Sequence, residues 1–345
     1  MQPVRETLEH LLRRGDLTEA QSGDLLNALT DSNMTPPLAG ALLAALRTKG
    51  VTAAEVRGFA AAMRALARKP ALPLSPDAID IVGTGGDASG SFNLSTGAAL
   101  LTAACGLPVI KHGNRSISSR SGSADLVEAL GLPMPLDEQA AAECFVATGF
   151  TFLFAPYYHP AMKAIAPVRS ALGVRTVFNM LGPLTNPAAP RYLLVGAYDA
   201  ATAEIMASTL SGMDITRAWV VHGAAGWDEA TPIGPFLAYE VEPASVRRRE
   251  VDPGEFGLER CAAADLRGGD ARTNLRAMIE VFEGRDRGAH RAALLLQAAL
   301  ALAIAGRADG IAGGLAQAQR ALDSGQAAAW LQRLRQFAAA RATGA

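Results

Sequence analysis

Three glycines in four residues open the segment Gly83-Thr84-Gly85-Gly86-Asp87, directly after a short apolar run. Glycine lets the backbone turn tightly and bring N–H groups close to an anion, because no Cβ stands in the way. The spacing matches neither the Walker motif nor the dinucleotide-binding fingerprint. The segment therefore predicts either a phosphate-binding loop or a plain tight turn after a strand.

A second polar segment, Asn93-Leu94-Ser95-Thr96, leads into an apolar stretch of helical character. We expect Ser95 or Thr96 to cap this helix. The free N–H groups and the positive dipole end of such a helix favour a phosphate. Simple capping without a ligand is the alternative.

The densest set of hydrogen-bond donors lies in residues 111–123, KHGNRSISSRSGS, between a predicted strand and a predicted helix. These thirteen residues contain three cations and five serines but no carboxylate. Lys and Arg side chains supply charge to an anion, and hydroxyl groups orient it. The loop therefore predicts polyanion binding.

Two adjacent carboxylates, Asp228 and Glu229, follow the apolar run 218–222. Mg²⁺ takes oxygen ligands and commonly joins one or two protein carboxylates to the phosphates of a substrate. Adjacent acidic residues are also common on solvated surfaces. Because the sequence also contains three candidate phosphate-binding segments, the pair predicts a magnesium site.

Aromatic residues precede an arginine in FAPYYHPAM at Phe154 and APVR at Ala166. Aromatic rings beside Arg169 could seat a small aromatic acid, with the guanidinium engaging its carboxylate. Pro167 suggests that Arg169 lies near the start of a helix. A structural arginine is the alternative, and His159 by itself is more typical of a structural residue.

The elements that must position these segments change character along the chain. Helical spacing of apolar residues marks the first seventy residues, where Thr52 and Glu55 form a capping-box signature. After this part, short apolar runs alternate with helical stretches, which predicts a largely parallel sheet covered by helices. The predicted strands are 79–82, 109–111, 150–155, 192–198 and 218–222. We predict a small α-helical domain over residues 1–72 and an α/β domain over residues 73–345.

Composition limits the classes of function. Half of the 345 residues are hydrophobic, 19% are charged, and the formal net charge is −1. A near-neutral chain lacks the basic excess that nucleic-acid binding by bulk electrostatics requires, so any phosphate must be bound locally. The most apolar run, 292–306, contains Gln297 and is too short to span a bilayer. We expect a cytoplasmic protein that binds neither nucleic acid nor membrane.

Seven segments occur in order along the chain: GTGGD at Gly83, NLST at Asn93, KHGNRSISSRSGSAD at Lys111, FAPYYHPAM at Phe154, APVR at Ala166, NMLGPLTNP at Asn179 and HGAAGWDE at His222. Together they closely resemble the anthranilate phosphoribosyltransferase family, and DLRGGDARTN at Asp265 extends the likeness. The resemblance implies an α/β fold of the nucleoside phosphorylase/phosphoribosyltransferase type. It consists of a small all-α helical domain, completed by about residues 165–188, and a large α/β domain with a mostly parallel central sheet.

The resemblance also implies a set of site residues. Those expected around phosphoribosyl pyrophosphate are Gly83, Gly86, Asp87, Ser91, Asn93, Leu94, Ser95, Thr96, Lys111, His112, Gly113, Asn114, Arg115, Ser116, Ile117, Ser118, Ser119 and Ser123. Mg²⁺, as two ions per subunit, would be held by Ser95, Asp228 and Glu229. Anthranilate would meet Gly83, Asn114 and Arg169. Lys111, Asn114 and Arg169 would have catalytic roles.

The implied reaction transfers the phosphoribosyl group of phosphoribosyl pyrophosphate to the amine of anthranilate, a step of tryptophan biosynthesis. Cleavage at the anomeric carbon needs charge stabilisation on the leaving pyrophosphate and positioning, more than a strong base. The aromatic amine is neutral at pH 7, which explains why no Ser/His/Asp arrangement is required. The resemblance further implies a homodimer formed through the small domains. Whether a glutamine amidotransferase associates with the chain stays open.

Two alternatives and three departures accompany this interpretation. A nucleoside phosphorylase shares the fold type, but GTGGD, KHGNR and the acidic pair favour a pyrophosphorylated substrate. A nucleic-acid-binding relative would show a strongly basic surface and no acidic pair. Ser91 stands where the family more often has Thr, Tyr158 where many members have His, and Gln297 where an Asn is expected.

Overall fold

Among the described residues, the N-terminal part forms four helices. The computed structural model describes residues 2–72, 77–116 and 120–343. The first helices are α1 (Gln2–Leu12), α2 (Glu19–Thr30), α3 (Pro36–Lys49) and α4 (Ala53–Leu66). The predicted capping box is confirmed, since the Glu55 N–H donates to Thr52 Oγ1 over 3.2 Å and the Thr52 N–H donates to Glu55 Oε2 over 2.8 Å.

A seven-stranded sheet, of order β3-β2-β1-β4-β5-β6-β7, forms the centre of the rest of the described chain. Its strands are β1 (Ile79–Gly83), β2 (Val109–Gly113), β3 (Phe150–Phe154), β4 (Tyr192–Gly196), β5 (Arg217–His222), β6 (Phe236–Glu242) and β7 (Ser245–Val251). The neighbouring pairs from β3 to β5 are parallel, whereas β6 and β7 are added in antiparallel fashion. The prediction of a mostly parallel sheet is confirmed.

The strand predictions differ from the structure in length and number. The predicted strands 150–155 and 192–198 extend one and two residues past β3 and β4, and the predicted strand 109–111 stops two residues before the end of β2. The β6–β7 hairpin was not predicted at all. Most of β7 is exposed and charged, so it lacks the alternation of buried and exposed residues that identifies a half-buried strand.

Strand order reverses at β1, which lies between β2 on one side and β4 on the other. In an open α/β sheet, ligands bind outside the carboxyl ends of the strands at such a reversal, because the connections leave in opposite directions and open a crevice. The glycine-rich, basic and acidic segments follow β1, β2 and β5. Parallel pairing therefore brings them to one edge of the sheet.

Helices cover both faces of the sheet, and they vary in length from one turn to five. They are α5 (Leu94–Ala104), α6 (Ser123–Ala129), α7 (Glu138–Thr148), α8 (Ala155–Tyr158), α9 (Met162–Leu172), α10 (Phe178–Leu181), α11 (Ala200–Ser211), α12 (Ala271–Phe282), α13 (Ala289–Ile304), α14 (Gly310–Asp323) and α15 (Gln326–Thr343). The apolar run around Gln297 is α13, whose side chains are buried along most of its length. No helix among the described residues has the length and apolar character of a membrane span.

The helical bundle and one sheet face share an apolar core. Ile165 and Val168 of α9 and Phe178 of α10 pack in the same cluster as the bundle helices, and Val195 and Val220 of the sheet belong to it as well. These contacts place α9 and α10 against the bundle, and the assignment of about residues 165–188 to the small domain stays a prediction. The domain boundary between residues 72 and 73 also stays a prediction. The apolar core continues from the bundle onto the sheet, so it does not mark where one domain ends and the other begins.

Candidate active site

The loops after β1 and β4 are joined directly at the strand reversal. The Thr84 N–H donates to the Gly196 carbonyl over 2.9 Å, and the Tyr198 N–H donates to Thr84 Oγ1 over 3.1 Å. These bonds fix the first half of the glycine-rich segment against the end of β4. They leave Gly85, Gly86 and Asp87 on the side of the acidic segment.

Asp228 lies inside the glycine-rich loop. Its Oδ2 accepts the Gly85 N–H over 2.6 Å, and its own N–H donates to Asp87 Oδ2 over 3.3 Å. The side chain is buried, and burial together with the neighbouring Asp87 raises the pKa of Asp228. The loop that was predicted to bind phosphate thus binds a carboxylate of its own chain.

Three glycines make room for the acidic segment at the carboxyl ends of three strands. A Cβ on Gly83 would lie 2.4 Å from Asp228 Oδ2, one on Gly196 would lie 1.5 Å from the Asp228 carbonyl oxygen, and one on Gly223 would lie 2.0 Å from the Glu229 carbonyl oxygen. Real Cβ atoms do not approach oxygen so closely. Gly196 and Gly223 need to be glycine because the backbone of residues 228–229 passes over them, and Gly83 because the Asp228 carboxylate lies against it.

Glu229 caps the helix that follows the second polar segment. Its Oε1 accepts the Ser95 N–H over 2.9 Å, at the positive end of α5. Among the described residues its Oε2 is buried and has no hydrogen-bond partner. Burial and the charge of Asp228 raise the pKa of Glu229 well above its ordinary value. A buried carboxylate oxygen without a donor is a suitable ligand for a cation.

The prediction that Ser95 or Thr96 caps α5 is wrong. The cap position belongs to Asn93, which makes no side-chain capping bond, and both hydroxyl residues lie inside the first turn. The Thr96 side chain is buried, as is that of Leu94. Both side chains are therefore packed inside the protein.

Lys111 lies beneath the acidic pair. Its side chain is 1% exposed, and Nζ donates to the Ile81 carbonyl and, over 3.4 Å, to Ser95 Oγ. Burial lowers the pKa of Lys111, while the charges of Asp80, Glu229 and Asp228 oppose this effect. The ammonium group is thus embedded among carboxylates instead of extending into open solvent.

Asp80 is a buried carboxylate that the sequence reasoning missed. Burial raises the pKa of Asp80 to about 6, against the opposing charge of Lys111. Its oxygens accept the Asn186 amide over 2.8 Å and the His112 N–H over 3.3 Å. Asp80 belongs to the predicted strand 79–82. Its position gave no signal of a functional role, because an acidic residue within an apolar run is also typical of a strand at the edge of a sheet.

His112 and His159 pack against each other with ring centroids 5.1 Å apart. His112 is 3% exposed and its Nδ1 lies 3.1 Å from the Gly182 carbonyl. Burial lowers the pKa of His112 to about 3 and that of His159 to about 4, so both rings are neutral at pH 7. Neither supplies positive charge to an anion.

The basic loop is partly neutralised by the helix that follows it. Arg115 pairs with Asp125 and with Glu128 of α6, each over 2.7 Å. Its guanidinium is therefore directed at α6, although the loop itself contains no carboxylate. The predicted residues Ile117, Ser118 and Ser119 lie outside the described residues.

Close packing holds the rest of this loop against α6. A Cβ on Gly113 would lie 2.3 Å from Ser123 Oγ, and that hydroxyl donates to the Asn114 carbonyl over 3.1 Å. The Asp125 carboxylate accepts the N–H of Ser116 over 3.4 Å. The side chain of Asn114 is exposed at the surface of the loop.

Asn93 and Ser91 contact a C-terminal segment to which the sequence reasoning gave no role. Asn93 Oδ1 accepts the amide of Asn274 over 2.7 Å, and Ser91 forms an isolated antiparallel bridge with Arg267. Ser91 Oγ also accepts the Ser89 hydroxyl over 3.2 Å. Asn274 lies in DLRGGDARTN, so the available signal was the family likeness of that segment.

Arg169 lies in the last turn of α9, with Pro167 inside the helix, so its predicted place near a helix start is wrong. The guanidinium carbon lies 5.1 Å from the centroid of the Phe178 ring. Burial lowers the pKa of Arg169. Arg169 forms no ion pair within the part of the chain that the structure describes. A half-buried cation of this kind suits an external carboxylate.

The tyrosines of FAPYYHPAM do not form the predicted aromatic seat. Tyr158 is fully buried and its hydroxyl donates to the Leu136 carbonyl over 3.1 Å. The Tyr157 hydroxyl donates to Glu138 Oε2 over 2.8 Å. The aromatic ring that does lie beside Arg169 is Phe178, which belongs to the next helix.

Arg175 links the end of α9 to the glycine-rich loop and was also missed. Its guanidinium donates to the Gly86 carbonyl and stacks 3.9 Å from the centroid of the Tyr198 ring. Arg47 of α3 donates to the Arg175 carbonyl. Because Arg175 follows Arg169 by only six residues, the C-terminal end of α9 faces the predicted phosphate loop.

The fold and this site define a two-domain glycosyltransferase. Residues 5–67 match the helical bundle domain of the glycosyl transferase family, and residues 75–328 match its a/b domain. An anthranilate phosphoribosyltransferase of Desulforudis audaxviator is 45% identical over 335 residues, which cover 97% of this chain and 96% of the relative. The chain therefore belongs to the anthranilate phosphoribosyltransferase family.

Solved structures agree with this assignment. The crystal structure of anthranilate phosphoribosyltransferase from Thermus thermophilus superposes with a TM-score of 0.89 at 38% identity, covering 96% of this chain and 99% of that one. The enzyme of Saccharomyces cerevisiae in complex with PRPP and Mg superposes with a TM-score of 0.87 at 26% identity, covering 98% of both chains. The predicted fold class and family are confirmed.

The glycine-to-alanine change with the clearest steric consequence is at Gly196. Gly196→Ala is expected to displace Asp228, because the new methyl would overlap a backbone oxygen that cannot rotate away. We expect a loss of stability of about 1–3 kcal/mol, the usual cost of overpacking, and at least a tenfold loss of turnover. Thermal unfolding and initial rates measure both effects.

Gly313→Ala is the matched control, since a Cβ there meets neighbours at ordinary distances of 3.7–3.8 Å inside α14. It should leave turnover unchanged and stability equal or slightly higher. Normal activity of the Gly196→Ala variant would show that the Asp228 backbone does not need its present position.

Proposed function

We propose that the crevice at the β1–β4 reversal binds phosphoribosyl pyrophosphate with Mg²⁺ and transfers its phosphoribosyl group to the amine of anthranilate. The products are N-(5-phosphoribosyl)anthranilate and pyrophosphate, in tryptophan biosynthesis. The observation that carries this proposal is the pair of the buried Asp228 and the half-buried Glu229, whose Oε2 is buried, placed between a glycine-rich loop and the start of α5. Complexes of the yeast relative with PRPP and Mg and with 4-fluoroanthranilate support the same choice of ligands.

The donor set fits Mg²⁺. The described residues contain no group of three or more His, Cys, Asp or Glu side chains that could hold a metal by themselves. Two carboxylates that share an ion with substrate phosphates and water are the usual arrangement for Mg²⁺. Asp228, Glu229 and the Ser95 hydroxyl would hold the metal, which neutralises charge on the pyrophosphate when bound. We assign two ions per subunit.

The chain's own groups would stabilise the leaving group and position the ribose. Lys111 supplies a fixed positive charge beneath the acidic pair, and the Gly86 and Asp87 N–H groups supply dipoles. Gly83, at the start of the glycine-rich segment, and Ser91, four residues after its end, would border the substrate. Such fixed groups act without reorganising as the C–O bond breaks, which is what an oxocarbenium-like transition state requires.

A further set of residues would enclose the phosphates and the acceptor. Asn93, Leu94 and Thr96 would contribute at the start of α5, and residues of the basic loop would contribute from the opposite side: His112, Gly113, Asn114, Arg115, Ser116 and Ser123. For Arg115 this role requires that the guanidinium exchange its bonds to Asp125 and Glu128 for a phosphate. Arg169 and Asn114 would meet anthranilate.

Subunit state and location complete the proposal. We propose a homodimer formed through the helical bundle, in which Leu12 of α1 and Leu66 of α4 are 61% and 41% exposed. Exposed leucines on two of the bundle helices are consistent with a covered surface. We propose that the enzyme acts in the cytoplasm.

A fluorescence assay that follows anthranilate consumption tests the function. Purified protein with phosphoribosyl pyrophosphate and Mg²⁺ should consume anthranilate, and omission of either should stop consumption. Well-folded protein that consumes no anthranilate under these conditions would contradict the proposal.

Arg169→Ala tests acceptor recognition. Loss of a charge-assisted hydrogen bond costs about 1.5–3 kcal/mol, which corresponds to about a ten- to hundredfold loss in kcat/KM for anthranilate. The KM for phosphoribosyl pyrophosphate should barely change. Arg169→Lys should restore activity only in part, because an ammonium group lacks the paired donors of a guanidinium.

A purely structural role for Arg169, through its contact with Phe178, predicts a different result. The melting temperature would fall and both Michaelis constants would rise together. An unchanged anthranilate constant in the Ala variant would contradict the assignment of Arg169 to the acceptor site.

A further inference from the structure

The amide of Asn274 contacts the amide of Asn93 across 181 residues of sequence. Asn274 lies in the first turns of α12 and is 2% exposed. Asn93 stands at the cap position of α5. A buried contact between two side-chain amides is a strong constraint, because each unsatisfied amide group would carry a large desolvation cost.

Backbone groups at both ends fix the orientation of the two amides. The Gly269 N–H donates to Asn274 Oδ1 over 2.7 Å, so the NH₂ group of Asn274 must face Asn93. Asn93 therefore presents Oδ1 to Asn274, and its Nδ2 donates to the Ser121 carbonyl over 3.1 Å. The relay runs from a backbone donor to a backbone acceptor and allows a single orientation of both side chains.

The relay connects the starts of two helices at the candidate phosphate site. Asn93 precedes α5, whose Ser95 N–H faces Glu229, and Ser121 precedes α6. The Ser121 hydroxyl also donates to Asn93 Oδ1 over 3.2 Å, so Ser121 contacts both polar atoms of the Asn93 amide. The relay therefore ties the start of α5 to the start of α6.

The segment that holds Asn274 is packed tightly against the same loop. The Gly268 N–H donates to the Gly90 carbonyl over 2.9 Å, and the Phe92 N–H donates to the Leu266 carbonyl over 2.8 Å. A Cβ on Gly268 would lie 2.5 Å from the Ser91 carbonyl oxygen. Residues 266–274 therefore act as a rigid support for residues 90–93.

We propose that Asn274 is a positioning residue for phosphoribosyl pyrophosphate: it fixes the Asn93 amide and thereby the relative placement of the α5 and α6 starts. This inference rests on the proposed function. Asn274 does not need to touch the substrate, since its effect passes through Asn93.

Asn274→Asp is the most direct test. The substituted carboxylate keeps the size of the side chain and still accepts the Gly269 N–H, but it presents an oxygen to Asn93 Oδ1. Asn93 must then rotate its amide and place oxygen against the Ser121 carbonyl. We expect the KM for phosphoribosyl pyrophosphate to rise about tenfold or more, while the KM for anthranilate stays within about twofold.

A double-mutant cycle separates positioning from general support of the fold. If Asn274 acts through Asn93, Asn274→Ala should add less than about twofold to the KM effect of Asn93→Ala, because interacting residues are not additive. Gln297→Leu is the matched control, since Gln297 is another buried amide and its Nε2 has no partner among the described residues. It should leave both Michaelis constants within about twofold of the parent.

Three outcomes would overturn the proposal. They are a KM for phosphoribosyl pyrophosphate within twofold of the parent in Asn274→Asp, fully additive effects in the cycle, and equal increases in both Michaelis constants. If Asn274→Asp does not fold, the cycle with the Ala variants decides. An inactive parent enzyme would contradict the proposed function instead, so the two failures are distinguishable.

Discussion

The double variant Asp228→Asn with Glu229→Gln is expected to lose turnover by about a hundredfold or more, the scale on which removal of charge stabilisation acts in active sites. Its fold should persist. Each substituted amide keeps an oxygen that can accept the hydrogen bond seen in the structure. The Gly85 N–H donates to residue 228, and the Ser95 N–H donates to residue 229. What disappears is the pair of negative charges that would hold Mg²⁺.

Stability should not fall in this variant, because neutralising buried carboxylates removes a desolvation penalty. Initial rates over a magnesium titration and the melting temperature measure the two effects separately. Glu240→Gln with Glu242→Gln is the matched control, since these glutamates of β6 form ion pairs with surface arginines. Near-normal turnover of the active-site variant at limiting magnesium would show that the metal assignment is wrong.

Lys111→Met is expected to lower kcat/KM for phosphoribosyl pyrophosphate by about ten- to a hundredfold, as for loss of a charge-assisted hydrogen bond worth about 1.5–3 kcal/mol. Methionine fills most of the space of the lysine stem, whereas alanine would also leave a cavity. The charge lost is the one that lies beneath Asp228 and Glu229. Binding of anthranilate should change little.

Calorimetry with each substrate measures this difference. Lys163→Met is the matched control, because Lys163 is exposed on α9. Equal weakening of both substrates by Lys111→Met, accompanied by a lower melting temperature, would indicate a defect of folding and contradict a specific role in pyrophosphate binding.

Sequence reasoning located the candidate site because polar loops in an alternating α/β pattern have a limited choice of position. The segments at Gly83, Lys111 and Asp228 each follow a predicted strand, and parallel pairing places the carboxyl ends of those strands at one edge of the sheet. The same reasoning could not anticipate the β6–β7 hairpin, whose outer strand is exposed and charged.

The partners of individual side chains were less predictable. Arg115 has the charged side chain expected of a phosphate-binding residue, but it pairs with two carboxylates of α6. Tyr158 has the aromatic ring expected of a residue that contacts an aromatic acid, but it is fully buried. A side chain's chemistry states what it can bind, whereas its direction depends on the packing of the helix or strand that carries it.

The sequence by itself determined the N-terminal helices, the alternation of helices with the five parallel strands, the glycines that allow close approach, and the set of charged groups available for chemistry. Tertiary structure alone decided which of these groups meet: Glu229 reaches Ser95 across 134 residues, and Asn274 reaches Asn93 across 181 residues. Local preferences act over a few residues and can be read from spacing. Contacts at long range arise only when the whole sheet has paired and its helices have packed. Packing fixes the directions of the side chains, and each buried polar group then forms hydrogen bonds with the partners that lie nearest.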